Sequence, residues 1–387
     1  MDIGIIVFAY NRSKHLTEVL DGLKKNLDVT KVHIFHDGLK CEEHRLEWER
    51  TRAVIEGVDW CEVEYHPSLH NKGLAKSIVD GINMVFEEND AVIVLEDDCV
   101  PSPNFISFMT QCFVKYQDNK RVYSISGYSF PIELRKDDYD VYGCGRISSW
   151  GWGTWKDRWE VYEKDYELVK KMKQEENASK CLAMWGRDLE NILVGNVRGN
   201  CDSWAVFWAL NVISREGICI NPYESLIKNI GTDGSGVHCG ITDRFEVKCM
   251  NEDIKEFVFP DNIDFLHETK VAFASLYGSY AAVSSEDETK GNILVYGVGN
   301  FYIKNEKKIT EKYNIKAYID KGKRGWFAGK KIIKLDEIKN YIYDYIVIML
   351  QNLQECGNVT KELMKCGIDS EKIILGHNVD FIEEIGK

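Results

Sequence analysis

A run of apolar residues that ends in three consecutive carboxylates constrains the fold of this chain more than any other feature. It lies in residues 92–105, VIVLEDDCVPSPNF, where Val92–Leu95 predicts a buried strand. Glu96, Asp97 and Asp98 follow at the carboxyl end of that strand, and two prolines then favour its termination and the start of a helix. Because open α/β sheets bind ligands at the carboxyl ends of their strands, the segment predicts both that class of sheet and the position of its site.

Adjacent carboxylates at the end of a strand repel one another unless a cation or several hydrogen-bond donors hold them. Hard oxygen ligands favour Mg²⁺ or Mn²⁺, and Mg²⁺ commonly joins one or two carboxylates to the phosphates of a substrate. The segment therefore predicts a site for a divalent cation and a diphosphate. The alternative interpretation is a solvated acidic turn, which is common in proteins.

Composition limits the classes of function open to the chain. Its 387 residues suggest two or three domains, and 44% hydrophobic residues are enough for substantial cores. The net charge of -13 argues against nucleic acid as a partner, because phosphate backbones are bound by basic surfaces. Twelve scattered cysteines without a CxxC pair indicate reduced thiols, as in a cytoplasmic protein. We expect neither a signal peptide nor a transmembrane segment, since the first apolar run is short and lacks a basic leader.

The first 130 residues alternate between strand and helix patterns. This alternation predicts a mostly parallel α/β sheet with helices on both faces. Ser13 is expected to cap the first helix. The predicted strands are Ile3–Ala9, Val32–His36, Val63–His66 and Val92–Leu95, and the predicted helices are Ser13–Leu27, 42–56 and Leu74–Phe86.

Composition changes twice further along the chain. Seven of the ten tryptophans fall between Trp150 and Trp208. Two glycine-rich segments within residues 140–240, GCGRISSWGWGTW and NIGTDGSGVHCG, predict loops. A connector with one helix, Ile263–Val283, is expected next. From residue 291 the chain is rich in Lys and Ile, and its patterns predict a small separate α/β unit. The predicted strands of that unit are Asn292–Tyr296, Lys316–Ile319, Tyr345–Leu350 and Lys372–Leu375.

Three segments follow from these changes. We expect a first domain over residues 1–250, a helical connector over 251–289 and a small Rossmann-like domain over 290–387. The last begins with YGVGNFY, and Asp320 ends its next strand, an arrangement that imitates a dinucleotide-binding fingerprint. Tyr302 replaces the third glycine, so an assembly or substrate-holding role is the favoured expectation.

Polar groups that follow four predicted strands meet at one edge if the sheet is parallel. They are Ala9–Arg12, Asp37, His66–Lys72 and the carboxylates of the opening segment. Asp37 is expected at a base or ribose, with Arg12 and Lys76 near phosphate and Asp98 on a metal ion.

Each of these groups has an ordinary alternative. Asp37 precedes a glycine and could form a plain turn, and Arg12 could be a surface residue at a helix start. His66 and His70, in HPSLH, resemble a metal pair, but they lie in a proline-containing loop and we do not favour metal binding there.

These segments together resemble nucleotide-sugar glycosyltransferases of the GT-A fold. FAYNR resembles their first-strand motif, HNKGLAKSIVDGI their Asn-x-Gly segment, and VLEDDCVPSPNF their metal motif in the Glu-Asp-Asp form of eukaryotic N-acetylglucosaminyltransferase I. SSWGWGTWKDRW and NIGTDGSGVHC resemble segments of a bacterial branch that makes surface polysaccharides. The resemblance covers residues 1 to about 245, with five motifs in the right order.

The resemblance implies a role for each matching residue. Asp98 would be the direct metal ligand, with Asp97 and Glu96 nearer the ribose and base. His238 would be a late metal or diphosphate ligand, and its alternative is a loop histidine without a ligand. The other residues implied at the nucleotide-sugar site are Ala9, Tyr10, Asn11, Arg12, Asp37, Asn71, Gly73 and Lys76.

An inverting transfer needs a carboxylate that takes the proton of the acceptor hydroxyl. Asp202, in GNCDSWAVFW, is the first candidate, because it lies where the resemblance implies the base. Its alternative role is to cap the helix that follows. Asp157 and Asp233 are the reserve candidates, and a retaining enzyme would not need this base.

The tryptophans also have two interpretations. Trp150 and Trp152, like Trp155, lie in a glycine-spaced segment and suit contact with a sugar ring. Trp204 and Trp208 have helical spacing and predict one buried face, and core packing is expected of Trp159 and Trp185.

The sequence thus predicts a cytoplasmic, metal-dependent and inverting glycosyltransferase, with Mn²⁺ or Mg²⁺ as cofactor and a UDP-sugar as the favoured donor. The expected acceptor is a glycan or lipid-linked glycan of a bacterial capsule or lipopolysaccharide, which the enzyme would reach at the inner face of the membrane. The sequence is also compatible with an oligomeric enzyme. One alternative function is a sugar-phosphate nucleotidyltransferase, which is disfavoured because FAYNRSKH lacks a glycine-rich phosphate loop. The other alternative is a non-catalytic nucleotide-sugar-binding protein.

Overall fold

The computed structural model describes residues 1–136, 138–166, 169, 182, 185–186, 188–234, 244–249, 256–277, 290–328 and 330–377. The chain divides into two compact units. One comprises Met1–Trp185 and Leu189–Lys270, and the other comprises Gly186–Asp188 and Val271–Lys387. Within these described ranges, no helix has both the length and the apolar character that a bilayer crossing requires. The ten cysteines that fall in them are all free.

A large sheet of mixed direction lies at the centre of the first unit and confirms the predicted fold class. Its described strands are β1 (Ile3–Ala9), β2 (Lys31–His36), β3 (Glu62–Pro67), β4 (Ala91–Glu96), β6 (Val122–Ser126), β7 (Val141–Cys144), β8 (Trp152–Trp155) and β9 (Ile218–Pro222). They follow the order β3-β2-β1-β4-β8-β6-β9-β7. The first four are parallel neighbours, as are β6 and β9, whereas β7 and β8 run antiparallel to their neighbours.

Helices cover both faces of the parallel half of this sheet. On one face, Gly81 lies so close to Phe8 and Phe35 that an added Cβ would be 2.8 Å from the Phe8 ring. On the other face, His36 stacks on Trp48 with ring centroids 4.6 Å apart. The described helices are α1 (Ser13–Lys24), α2 (Arg45–Glu56), α3 (Leu74–Val85), α4 (Phe105–Tyr116), α5 (Lys156–Trp159), α6 (Asp188–Val197), α7 (Trp204–Ile213) and α8 (His267–Tyr277).

The tryptophan-rich segment forms core. Trp152 stacks on Trp204 with ring centroids 5.0 Å apart, and Trp159 and Trp208 pack against the same cluster. The predicted burial of Trp159, Trp185, Trp204 and Trp208 is confirmed, since each is at most 5% exposed. The expected loop at Trp152 is wrong, because Trp152–Trp155 forms β8 between β4 and β6.

One local prediction for the first unit is also wrong. Ser13 is the first residue of α1 and not its cap, and its hydroxyl instead donates to Glu47 Oε2 at 2.9 Å. The helix expected after the two prolines is confirmed as α4, which begins at Phe105. Before that helix the chain also forms β5 (Cys99–Pro101), which was not predicted and which pairs antiparallel with β10 (Ile227–Asn229).

The second unit holds a smaller, mostly parallel sheet. Its described strands are β11 (Gly291–Tyr296), β12 (Tyr313–Ile319), β13 (Gly325–Phe327), β14 (Lys330–Ile333), β15 (Tyr345–Ile348) and β16 (Ile373–Leu375), with helices α9 (Asn300–Lys312) and α10 (Leu353–Lys365). They follow the order β13-β14-β12-β11-β15-β16, and only β13 runs antiparallel to its neighbour. The sequence predicted four of these strands and missed the short β13 and β14.

The glycine turn after β11 differs from a dinucleotide-binding turn in its surroundings. Tyr302 is fully buried, and its hydroxyl lies 2.9 Å from the hydroxyl of Tyr318. The Asp320 carboxylate accepts hydrogen bonds from the backbone N–H groups of Val298 at 3.1 Å and Gly322 at 2.9 Å. Tyr302, at the position of the third glycine of a dinucleotide-binding fingerprint, and the Asp320 carboxylate are therefore both engaged in contacts within the protein.

Candidate active site

The parallel pairing of β1, β2, β3 and β4 brings the segments that follow them to one side of the sheet, which we call the carboxyl edge. Ala9 pairs with His36, and Phe8 pairs with Glu96. His36 in turn pairs with Pro67, so the ends of the four strands are aligned. Tyr10–Arg12, Asp37, the loop 68–73 and the carboxylates after β4 consequently lie along this edge.

Asp37 fastens the end of β2 to the loop that follows β3. Its Oδ1 accepts the backbone N–H of Lys72 at 2.8 Å, and its Oδ2 accepts that of Gly73 at 3.0 Å. Asn71 returns the contact by donating to the Gly38 carbonyl at 2.8 Å. Three residues predicted at the nucleotide, Asp37, Asn71 and Gly73, are thus brought together. Asp37 Oδ1 also accepts the N–H of Gly38 at 2.9 Å, so both of its lone pairs are used, whereas Oδ2 keeps one lone pair for a ligand.

Arg12 joins two of the three consecutive carboxylates. Its Nη2 forms ion pairs with Asp97 and, at 2.9 Å, with Asp98 Oδ2. The side chain of Asp97 is 6% exposed and that of Asp98 is 14% exposed, so Asp98 is the more accessible of the two. Arg12 therefore orients both aspartates, a contact that the sequence-based expectation of a phosphate partner for Arg12 did not include.

The charges at this edge do not cancel. Three carboxylates face one guanidinium, which leaves a formal charge of two negative units when all are ionised. Burial is the main reason that the pKa values of Glu96 and Asp97 lie above their ordinary range, and the charge of Asp98 adds to both effects. Arg12 opposes this shift but does not cancel it.

Arg12 also carries a donor without an acceptor. Its Nη1 is buried and has no hydrogen-bond partner in the described part of the chain. A buried donor without an acceptor is costly, roughly 1–3 kcal/mol. Hard oxygen donors, an excess of negative charge and a spare guanidinium donor together fit a divalent cation with a diphosphate.

Asp98 is held from the opposite side by the turn that follows β10. Its carbonyl accepts the N–H of Ile230 at 2.9 Å, and Asn229 Nδ2 lies 3.4 Å from its Oδ1. Gly231 approaches so closely that an added Cβ would lie 2.2 Å from Asp98 Oδ2. Sequence analysis noted the glycines of this segment but missed its contact with Asp98, because the contact depends on the pairing of β5 with β10.

The same turn contacts α1, since His15 Nε2 lies 3.2 Å from Asp233 Oδ2. Asp233, a reserve candidate for the base, is therefore near the carboxyl edge and is about half exposed. His238, predicted as a metal or diphosphate ligand, lies outside the described residues.

The residues after β1 contribute backbone and packing. Ala9 is buried, and its carbonyl accepts the N–H of Asp37 at 3.1 Å. The Tyr10 hydroxyl lies 2.8 Å from His44 Nδ1, and burial raises the pKa of Tyr10. Asn11 is partly exposed between Tyr10 and Arg12.

Lys76 is not brought to the carboxylates. Its ammonium group forms an ion pair with Asp80 at 3.1 Å within α3, and its side chain is 64% exposed. The expectation that Lys76 lies near phosphate therefore has no support in this arrangement.

Asp202, the first candidate for the base, precedes α7 on the exposed surface. Its Oδ1 lies 2.6 Å from Lys164 Nζ. The alternative of a cap is wrong, because Ser203 caps α7 through its hydroxyl, which accepts the N–H of Val206. Trp204 stacks on Trp152, which lies opposite Val94 of β4, so α7 begins near the carboxyl end of β4.

The other reserve candidate, Asp157, is engaged elsewhere. It forms ion pairs with Lys120 at 2.7 Å and with Arg158 at 2.6 Å. These two cations lower the pKa of Asp157 against the opposing effect of its partial burial, so Asp157 is a weak proton acceptor.

Of the three tryptophans predicted at the sugar, Trp152 and Trp155 are buried, so these two predictions are wrong, and Trp150 is partly accessible. Trp152 is 0% exposed within the aromatic cluster, where no ligand can reach its ring. Trp150 packs edge-on against Tyr128 and Phe245 at centroid distances of 4.7 Å and 5.5 Å. The residues next to these two aromatics, Ser129 and Glu246, line a cavity of about 440 Å³.

Comparisons with solved structures find similar folds among glycosyltransferases and nucleotidyltransferases. The mannosyltransferase PcManGT from Pyrobaculum calidifontis, in complex with GDP-Man and Mn²⁺, is 12% identical over 41% of this chain, which spans 46% of that enzyme, with a TM-score of 0.30. A UDP-glucose pyrophosphorylase complexed with UDP-glucose is 14% identical over 59% of this chain and 91% of its own, with a TM-score of 0.30. A cytidylyltransferase from Leptospira borgpetersenii is 14% identical over 45% of this chain and 64% of its own, with a TM-score of 0.26. At such values the likeness concerns the fold and says nothing about the reaction.

A match to a protein family concerns the second unit. The family described as C2185-like, N-terminal, matches residues 289–374, less than a quarter of the chain. A comparison with curated proteins finds no match.

Proposed function

We propose that the first unit is a metal-dependent, inverting glycosyltransferase that moves a sugar from a nucleoside-diphosphate donor, preferably a UDP-sugar, to a hydroxyl of a glycan. The observation that carries the proposal is that the ion-paired Arg12, Asp97 and Asp98 and the loop held by Asp37 lie along the same carboxyl edge. The acceptor we favour is a glycan, free or lipid-linked, of a bacterial capsule or lipopolysaccharide, a choice supported by the motif resemblance.

Asp98 is the residue we assign to the metal ion. It is the more accessible of the two aspartates that Arg12 holds, and Asn229 and Gly231 restrict its position from the other side. A Mn²⁺ or Mg²⁺ ion bound there would stabilise negative charge on the departing diphosphate. Arg12 keeps Asp97 and Asp98 in place and offers Nη1 as an additional donor to that group.

The nucleoside is assigned to the part of the carboxyl edge formed by Asp37 and the loop 68–73. Asp37 offers the remaining lone pair of its Oδ2 to a hydroxyl or amine donor of a ribose or a base. Because backbone N–H groups already hold its carboxylate, Asp37 is oriented before a ligand arrives. Such preorganisation reduces the entropy lost on binding.

The acceptor must lose a proton as the new glycosidic bond forms. We assign this proton to Asp202, which would first have to leave its ion pair with Lys164. Asp233 is the alternative, since it lies near the carboxyl edge and is partly exposed.

Calorimetry with UDP, with and without Mn²⁺, tests the metal site. Asp98→Ala is expected to abolish metal-dependent UDP binding, whereas Asp261→Ala, which removes an aspartate that is 91% exposed, should leave it unchanged. Equal affinity for UDP in wild type and Asp98→Ala would refute the assignment.

Turnover separates the proposal from its rivals. A screen of nucleotide sugars should find one that the purified protein hydrolyses or transfers only with a divalent cation, and Asp202→Asn should slow transfer roughly 10²-fold or more without weakening UDP binding. If Asp202→Asn turns over normally and Asp233→Asn does not, the base is Asp233. Release of pyrophosphate from a nucleoside triphosphate and a sugar phosphate would instead indicate a nucleotidyltransferase. Binding of a nucleotide sugar without turnover would indicate a non-catalytic protein.

A further inference from the structure

Three potential metal ligands converge on one face of β2 and β3. His33 pairs directly with Glu64 across the two parallel strands, and His66 lies two residues beyond Glu64 on the same face. His33 Nδ1 is 3.4 Å from His66 Nε2 and 3.5 Å from Glu64 Oε2, while His66 Nε2 is 3.4 Å from Glu64 Oε1. The Glu64 carboxylate thus presents one oxygen to each histidine nitrogen, and one ligand atom from each of the three residues lies within 4.8 Å of the other two.

We infer that His33, Glu64 and His66 form a second metal site, for a transition-metal ion of the zinc class, separate from the carboxylates that follow β4. Two ligand atoms of a tetrahedral zinc ion, with bonds of about 2.0–2.1 Å, lie about 3.4 Å apart, and this is the distance between His33 Nδ1 and His66 Nε2. An ion there needs little movement of the three side chains, and a water molecule would complete four-coordination.

The donor set selects this class of ion. Two imidazoles and one carboxylate suit Zn²⁺ and its neighbours, whereas Mg²⁺ favours carboxylate, carbonyl and water oxygens. Burial lowers the pKa of both His33 and His66, so that each ring keeps a nitrogen lone pair at neutral pH. Phe35 stacks on His66 with ring centroids 4.3 Å apart and restricts its rotation.

A lysine competes with the metal for the carboxylate. Lys31 Nζ lies 2.5 Å from Glu64 Oε2 and 3.9 Å from Glu62 Oε1, so it can move to Glu62 when an ion binds Glu64. Glu88 also acts on His33 through its charge. The two flanking glutamates favour cations in this region, and Lys31 is the group that an ion must displace.

The site ties the outermost strand of the sheet to its neighbour. β3 is the terminal strand in the order of the sheet, and its carboxyl end leads into the loop that Asp37 holds. An ion that joins His33 of β2 to Glu64 and His66 of β3 would therefore stabilise the strand that carries this loop. Its role is structural, and its loss should not by itself remove Asp98 from the carboxyl edge.

Binding of Co²⁺ and Zn²⁺ to the full-length protein tests the inference. The experiment uses the Asp98→Ala variant without nucleotide, so that the carboxylates after β4 contribute little. We expect one equivalent of Co²⁺ with the visible absorption of a four-coordinate ion, displacement by Zn²⁺, and a Zn²⁺-dependent rise in Tm of roughly 5 °C at saturating metal. Either His66→Gln or Glu64→Gln should weaken binding at least tenfold. His70→Gln, in the exposed loop nearby, is the matched control and should bind normally.

Lys31→Met is expected to strengthen metal binding, an effect that a misfolded variant could not produce. Removal of the competing ammonium group should tighten Zn²⁺ binding several-fold, while Lys14→Met, an exposed lysine of α1, should not. The inference is overturned if Co²⁺ binds without a defined stoichiometry, if His66→Gln and His70→Gln bind equally well, or if Lys31→Met leaves the affinity unchanged. The last two results would identify the three side chains as a hydrogen-bonded cluster only.

Discussion

Replacement of Gly231 by alanine probes the contact between the β10 turn and Asp98 without altering any carboxylate. A Cβ at this position would lie 2.2 Å from Asp98 Oδ2 and 2.8 Å from its Cγ. Non-bonded atoms of this kind stay at least about 3.0 Å apart, so the carboxylate or the turn must move by about 0.8 Å. Asp98 cannot retreat freely, because Arg12 Nη2 holds the same oxygen at 2.9 Å.

A displacement of this size is large for a metal ligand. Misplacement of a catalytic group by about 1 Å costs on the order of 10²-fold in rate. We expect Gly231→Ala to weaken Mn²⁺-dependent UDP binding about tenfold and to slow turnover about 10²-fold. Its Tm should fall by only a few degrees, since no buried apolar group is removed.

Calorimetry and steady-state kinetics measure these effects, and a double-mutant cycle read out as Tm assigns their cause, since Asp98→Ala itself is expected to lack metal-dependent UDP binding. In an Asp98→Ala background the added methyl group has no carboxylate to displace, so Gly231→Ala should lower the Tm less there than in the wild type. Gly357→Ala, where a Cβ meets nothing within 4 Å, is the matched control. Unchanged metal-dependent UDP affinity in Gly231→Ala, or equal falls of Tm in both backgrounds, would refute the reasoning.

Four further substitutions test other parts of the account. Arg12→Met leaves two aspartates without their cation and should lower the free energy of unfolding by about 3 kcal/mol. Mn²⁺ should therefore raise the Tm of this variant more than that of the wild type, and an equal rise in both would contradict the charge argument. Asp37→Asn keeps only one acceptor oxygen and should weaken UDP binding about tenfold. Hydrogen exchange in the loop 68–73 should become faster in this variant, and an unaltered exchange rate would contradict the role of Asp37 in holding that loop. Trp152→Ala should cost about 3–5 kcal/mol in denaturant unfolding, and a loss below about 1 kcal/mol would place Trp152 outside the core. Trp150→Ala should raise the acceptor KM and leave UDP affinity intact, and a loss of UDP affinity instead would move Trp150 to the donor side.

The parallel half of the first sheet could be predicted because its signals are local. β1 and β4 are short apolar runs followed by polar residues, β2 and β3 alternate apolar with polar residues, and the helices between them have clear periodicity. The position of Asp37 and of the carboxylates at one edge follows from the parallel order alone. A sequence pattern of this kind therefore predicts where a site lies, but it does not predict the contacts between the residues of that site.

The contacts that were missed depend on residues far apart in the chain. Asp98 meets Gly231 only because β5 pairs with β10, and a three-residue strand that ends in proline has too weak a pattern to predict. Trp152 has glycine neighbours typical of a loop, yet β4 and β6 on either side draw it into the sheet. His33 and Glu64 lie 31 residues apart, and only the register of β2 on β3 brings them together.

Anomalous diffraction at the manganese edge, from crystals grown with UDP and Mn²⁺, tests the central claim most directly. The account predicts a peak within about 2.3 Å of an Asp98 carboxylate oxygen, with the diphosphate on the opposite side of the ion. A nucleotide bound away from this carboxylate, or a manganese peak found only beside His33 and His66, would contradict it.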